Sequence, residues 1–119
     1  MAQKHTLKKN YEFKRILNKG QYYRGKTIDV YLRKNRKPYN YIGIAVGVKA
    51  QKAVKRNKIK RLIRENYRLL TPLLEQGYDI VFLWKKTNSF RQATFFNVKQ
   101  DMITVFQKAK VFKEKGKEE

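Results

Sequence analysis

Ala53-Val54-Lys55-Arg56-Asn57-Lys58-Ile59-Lys60-Arg61-Leu62-Ile63-Arg64-Glu65, continuing to Leu70, is the stretch on which the reading of this chain turns. From Lys49 to Arg68 the basic residues are Lys49, Lys52, Lys55, Arg56, Lys58, Lys60, Arg61, Arg64 and Arg68, and the one acid is Glu65. Val54, Ile59, Leu62, Ile63, Tyr67 and Leu70 recur at helical spacing, which predicts a helix over 53–70. With each residue turned by about 100° around the axis, Asn57, Lys60, Arg61, Arg64 and Arg68 share one arc. Ile59, Ile63, Tyr67 and Leu70 take the opposite arc. One stripe is therefore for burial and the other for a polyanion. Guanidinium groups one turn apart can grip successive phosphates with paired hydrogen bonds, while Lys supplies a compact charge. Asn57 adds a neutral donor and acceptor able to meet a base or ribose edge. The plain alternative is a solvated helix face, but such faces ordinarily mix Glu with Lys, and here Glu65 stands alone against nine basic residues.

Upstream of that helix the pattern is β-like. Thr27 to Lys34 alternates Ile28, Val30 and Leu32 with Asp29, Tyr31 and Arg33, so one side packs and the other is more polar. A short strand at Tyr22 to Arg24 precedes it. The turn formers of 35–40 lead to a second apolar run, Tyr41 to Val48, and the expectation is an antiparallel hairpin between the two. Nearer the start, Asn10 can cap a helix over Tyr11 to Asn18 that Gly20 stops. Phe13, Ile16 and Leu17 share one face of it.

Downstream, Pro72 and Gly77 punctuate the exit from the basic helix. Tyr78-Asp79-Ile80-Val81-Phe82-Leu83-Trp84 reads as a strand buried on both faces. A last helix starting near Thr94 turns Phe95, Val98, Met102, Val105, Phe106 and Ala109 inward. Residues 1–9 form a basic arm and 113–119 a charged tail, both expected to be loose. The whole reads as one RNA-binding domain, 1–119, with no repeat and no linker.

Composition narrows the function. Thirty Lys and Arg stand against nine Asp and Glu, a formal net charge of +21, and such an excess seeks a phosphate backbone whose condensed counterions it displaces. No stretch approaches the ~20 apolar residues that span a bilayer, and the first residues carry no apolar signal segment. With no cysteine there is no disulfide or thiolate metal site. The expectation is a soluble cytoplasmic protein without membrane association.

No catalytic constellation is legible. His5 is alone, and Glu12, Asp29, Glu65, Glu75, Asp79 and Asp101 have no pairing that suits metal or acid/base work. No protein-bound cofactor or metal is expected, and no catalytic residue. Composition and pattern alone leave several classes open. An RNA-scaffold protein such as a ribosomal protein shares the basic helix, an autonomous nuclease lacks its acid cluster, and a helix-turn-helix DNA binder fits poorly with a strand-rich first half.

The stretch Ala53 to Glu65 closely resembles the Arg-Asn-Arg signature helix of the protein subunit of bacterial ribonuclease P, and the similarity runs from Phe13 through the final helix. Lys58 stands at the third signature position in place of Arg, keeping charge but losing the bidentate fork. Val48-Lys49-Ala50-Gln51-Lys52 replaces a loop in which the family often has a Lys-Lys pair followed by Gly and Asn.

The resemblance implies an α+β sandwich in the order α-β-β-β-α-β-α. Its mixed four-stranded sheet is packed by helices, resembling the ribosomal protein S5 domain 2-like fold. It also implies a left-handed β-α-β crossover, against the right-handed rule. The partners it implies are the catalytic RNA subunit and precursor tRNA. Magnesium bound by the RNA performs the hydrolysis that releases the 5′ leader. Arg56, Asn57, Lys58, Lys60, Arg61, Arg64 and Arg68 are then the candidate RNA-subunit contacts. Phe13, Leu17 and Tyr31, with Lys9, Arg33, Lys49 and Lys52, are the candidates for a cleft that holds the single-stranded leader, where unstacked bases lie on aromatic rings. Phe13 reads equally well as a core residue, since Ile16 and Leu17 share its face.

Overall fold

The computed structural model describes residues 6–7, 10–47, 52–85 and 90–114. In chain order the elements are α1 (Asn10–Lys19), β1 (Gln21–Arg24), β2 (Ile28–Lys34), β3 (Tyr41–Ala45), α2 (Ala53–Leu70), β4 (Tyr78–Trp84) and α3 (Phe95–Ala109), with short 3-10 turns at Thr71–Leu73 and Phe90–Gln92. This is the expected α-β-β-β-α-β-α order.

The four strands form one mixed sheet in the order β1-β2-β4-β3. Here one expectation fails. β2 and β3 are not a hairpin, because β4 lies between them, antiparallel to β2 and parallel to β3. The antiparallel hairpin is instead β1 with β2. The physical reason lies in β4 itself. A nearly continuous apolar run needs cover on both faces, and only a central position provides it.

The 35–40 connection accordingly bridges the entrance of β4 rather than turning back on β2. Asn35 donates its backbone N–H to the Gly77 carbonyl at 2.9 Å. Buried Asn40 receives the Tyr78 N–H at 2.8 Å on its Oδ1 and donates Nδ2 to the Glu75 carbonyl at 3.0 Å. Gly77 has φ of +101°, a backbone state that side chains other than Gly rarely take.

Each face of the sheet has its own core. On one face Ile28, Val30, Leu32, Ile80, Phe82 and Trp84 meet Ile59 and Ile63 of α2 and Val98, Met102, Val105 and Phe106 of α3. On the other, Val81 packs with Ile16 of α1 and with Leu7, flanked by Phe13, Tyr31, Tyr41 and Leu83. The alternation read in β2 is borne out: Ile28, Val30 and Leu32 are buried, and Asp29, Tyr31 and Arg33 face the α1 side half-buried.

Two parts of the supposedly loose ends are tied down. Leu7 is buried, its N–H bonds the Ile42 carbonyl at 2.8 Å, and Thr6 bridges Ile42. An apolar side chain next to a half-covered strand finds burial there, whatever the charge around it. At the other end Lys113 donates to the Leu73 carbonyl, and Phe112 bridges Leu74. The rest of the arm and tail lies outside the described residues. Phe95 is a further correction. It is 40% exposed, because the inward stripe of α3 is Val98, Asp101, Met102, Val105 and Phe106, and Phe95 falls at its rim. Ala109 is half-buried.

Candidate nucleic-acid interface

Helix α2 divides as its spacing predicts. Ile59, Ile63 and Leu70 are buried, and Tyr67 meets Phe82 edge-on with ring centroids 6.0 Å apart. Asn57, Lys58, Arg61, Arg64 and Arg68 are exposed, while Arg56 and Lys60 are half-buried on the flanks. Asn66 is the residue that the spacing missed. It is buried, and its Nδ2 donates to the Leu62 carbonyl at 2.9 Å and the Phe95 carbonyl at 3.4 Å, which ties α2 to the start of α3. A polar residue on the apolar arc was the available signal.

The electrostatics of α2 are one-sided. Arg68 pairs with Glu65 one turn back at 2.9 Å, an exposed pair of small worth. Among the described residues Arg61 and Arg64 have no ion-pair partner. The amino-terminal turn has neither an acid nor a side-chain cap. Yet Lys52, at the N-cap, and Lys55, Arg56 and Lys58 crowd this end, where the helix dipole is already positive. Lys55 and Lys58 lie over the Phe90 ring, 5.0 and 5.5 Å from its centroid. That aromatic was overlooked because Phe90 is far from α2 in sequence.

A second surface forms between α1 and the sheet. Across the strands Tyr22, Tyr31, Val81 and Gly43 stand in register. The Tyr22 and Tyr31 rings are 5.0 Å apart. The Phe13 ring lies on Gly43 so closely that any β-carbon there would collide with it. Phe13 and Tyr31 both pack, half-buried, against Leu7, Ile16 and Val81 on this face, so Phe13 is a packing residue of the α1 side. Leu17 is 38% exposed, not packed as its helical spacing with Phe13 and Ile16 implied. Arg33 follows Tyr31 on the same face and is half-buried. Lys52 is exposed beside the first turn of α2. Lys9 and Lys49 lie outside the described residues.

Tyr22 and Tyr41 are the aromatic residues of this face that the sequence reading missed. Tyr41 holds the Lys37 ammonium 4.7 Å from its ring centroid. Two-residue alternation with Gly43 could have identified Tyr41, whereas Tyr22 needs the β1–β2 register. Desolvation first, then hydrogen bonding to the Asp29 carboxylate, holds the Tyr22 phenol above its ordinary pKa. It therefore remains a neutral donor. The acids on this face are engaged: Asp29 lies 3.6 Å from the Lys85 ammonium, and Asp79 accepts from Asn35 at 3.0 Å.

Among the described residues no group of three or more His, Cys, Asp or Glu is placed to hold a metal ion, and no helix is long and apolar enough to cross a membrane. Asp101 has a structural task. It accepts hydrogen bonds from the Thr27 N–H, from Thr27 Oγ1 at 2.6 Å and from the Ile28 N–H at 3.1 Å, latching α3 to the start of β2.

Comparison with known proteins gives a consistent answer. The family model for Ribonuclease P matches residues 1–110. The ribonuclease P protein component of Natranaerobius thermophilus is 46% identical over 83 residues, 70% of this chain and 72% of that protein. That of Dictyoglomus turgidum is 42% identical over 108 residues, 90% of each. Among solved structures, the Staphylococcus aureus RNase P protein superposes with a TM-score of 0.81 at 31% identity, covering 93% of this chain and 100% of that one. With the signature helix exposed on the fold of these relatives and the match spanning nearly all of its length, this chain belongs to the ribonuclease P protein component family.

Proposed function

We propose that the chain binds the catalytic RNA subunit of ribonuclease P through α2 and the single-stranded 5′ leader of precursor tRNA through the groove between α1 and the sheet. Bound in this way it promotes magnesium-dependent removal of the leader in the cytoplasm. The observation that carries this reading is the state of α2. Its cationic ridge is exposed, and its amino terminus has positive charge piled onto a positive dipole with no acid or cap of its own. A phosphate seated there gains the uncapped N–H groups and several cations together.

Arg56, Asn57, Lys58, Lys60, Arg61, Arg64 and Arg68 are the contacts assigned to the RNA subunit. Phe13, Tyr31 and Leu17 are assigned to the leader, with Lys9, Arg33, Lys49 and Lys52 supplying charge. Base stacking on aromatic rings tolerates any base identity, which suits leaders of varied sequence. The chemistry is assigned to the RNA, which would bind the magnesium ions. The protein contributes binding energy, favouring substrate over mature tRNA.

Reconstitution tests the reading. With the partner RNA at low magnesium, adding the protein should accelerate release of the leader, and affinity for precursor should exceed that for mature tRNA. Equal cleavage with and without protein would remove the proposal. Equal affinity for the two tRNAs in the assembled complex would leave a scaffold role at α2 and remove the leader groove.

A further inference from the structure

A third surface lies on the side of the sheet opposite α1, along the flank of α3 that Asp101 latches to the turn between β1 and β2. It is an open groove of about 700 Å³. Phe96, Gln100, Thr104 and Lys108 line it from α3. Set four residues apart, they form one slowly twisting ridge, and from Phe96 to Lys108 it runs about 18 Å at ~1.5 Å per residue. Arg24 and Lys26 line it from the β1–β2 turn.

The chemistry of this lining is specific. Phe96 is 65% exposed, a large apolar ring in water on a helix whose buried stripe it does not join. Three cations, Arg24, Lys26 and Lys108, share the groove with the exposed amide of Gln100, while Asn97 donates its Nδ2 to the Gln92 carbonyl at 3.1 Å. The one acid in the lining, Asp101, is buried and already accepts three hydrogen bonds from Thr27 and Ile28. What remains facing outward is a ring for stacking, the Gln100 amide, which can meet the edge of a base, and positive charge for a phosphate. These are the parts of a single-strand binding surface.

We propose that this groove is a further RNA-binding site, taking a short single-stranded segment with one base on Phe96 and its phosphates on Arg24, Lys26 and Lys108. Because α1 and α3 lie on opposite faces of the sheet, a strand held here is separate from one held by Phe13 and Tyr31. One copy of the chain can then hold two single-stranded segments at once. Charge complementarity favours RNA over an acidic protein segment only if the ring takes part, so the test separates ring from charge.

Residue-resolved NMR titration of the full chain with a uridylate pentanucleotide provides that test. Saturable shifts are expected at Gly25, Lys26, Gln100 and Thr104. Phe96→Ala should weaken this isotherm on the order of ten-fold, the loss of one stacked base, and Phe96→Trp should preserve it. Lys26→Ala should weaken it and flatten its salt dependence. These side chains are exposed, so the fold should survive, and a thermal melt checks that. Tripolyphosphate and polyglutamate, which carry charge but no base, should bind weakly and ignore Phe96→Ala. Absence of saturation at those four amides, indifference of uridylate binding to Phe96→Ala, or equally tight binding of either base-free polyanion would each overturn the proposal.

Discussion

The helices α2 and α3 rest on the same face of the sheet but are completed in opposite ways. Helix α3 is finished by the chain itself. Its N-cap Thr94 accepts the Asn97 N–H at 3.1 Å, Asp101 ties it to β2, and Lys110 closes it in the left-handed conformation with its N–H on the Gln107 and Phe106 carbonyls. Helix α2 has no side-chain cap and no acid in its first turn, and Arg68 pairs with Glu65 in an exposed contact along its ridge. The difference teaches that the ends of α3 and its Asp101 latch are built to hold the fold, whereas α2 is held by its buried stripe and leaves its amino terminus as well as its ridge for another molecule. A chain of net charge +21 repels itself, and the repulsion is concentrated where a partner would relieve it.

The sharpest way to break this contrast is in the core beneath α3. Phe106→Ala should cost about 3–5 kcal/mol of stability in a denaturant titration, with loss of RNA binding only as the fold is lost. Asp101→Ala should cost roughly 1–3 kcal/mol, because the Thr27 and Ile28 N–H groups lose a buried acceptor. Retention of full stability would show that water replaces the carboxylate there.

Opposite signs are expected at the start of α2. Lys52→Asp supplies the missing cap and a charge suited to the dipole, so the free protein should gain about 1 kcal/mol, while affinity for the partner RNA falls because the carboxylate takes the N–H groups a phosphate would use. A variant that gains in both measurements would mean that this helix end is not a phosphate site. The smallest effect on stability belongs to the ridge. Arg61→Ala or Arg64→Ala should change it by less than about 0.5 kcal/mol, yet lower the slope of log affinity against log salt by roughly 0.7 to 0.9 per lost phosphate contact. An unchanged slope would separate these arginines from RNA.

Local periodicity was enough to determine much of this protein. The bounds of α2, its division into Ile59, Ile63 and Leu70 against Arg61 and Arg64, the alternation along β2 and the double-sided burial of β4 all follow from spacings of ~3.6 or two residues, because a segment's apolar side must be buried wherever it ends up. Tertiary structure decided which neighbours do the burying. The insertion of β4 between β2 and β3, the closing of Phe13 onto Gly43, the pairing of Tyr22 with Tyr31 and the seating of Leu7 join residues remote in sequence or set by strand register. Periodicity along one segment says which side seeks cover, but strand order depends on competition among all the strands for the positions that are covered on both faces.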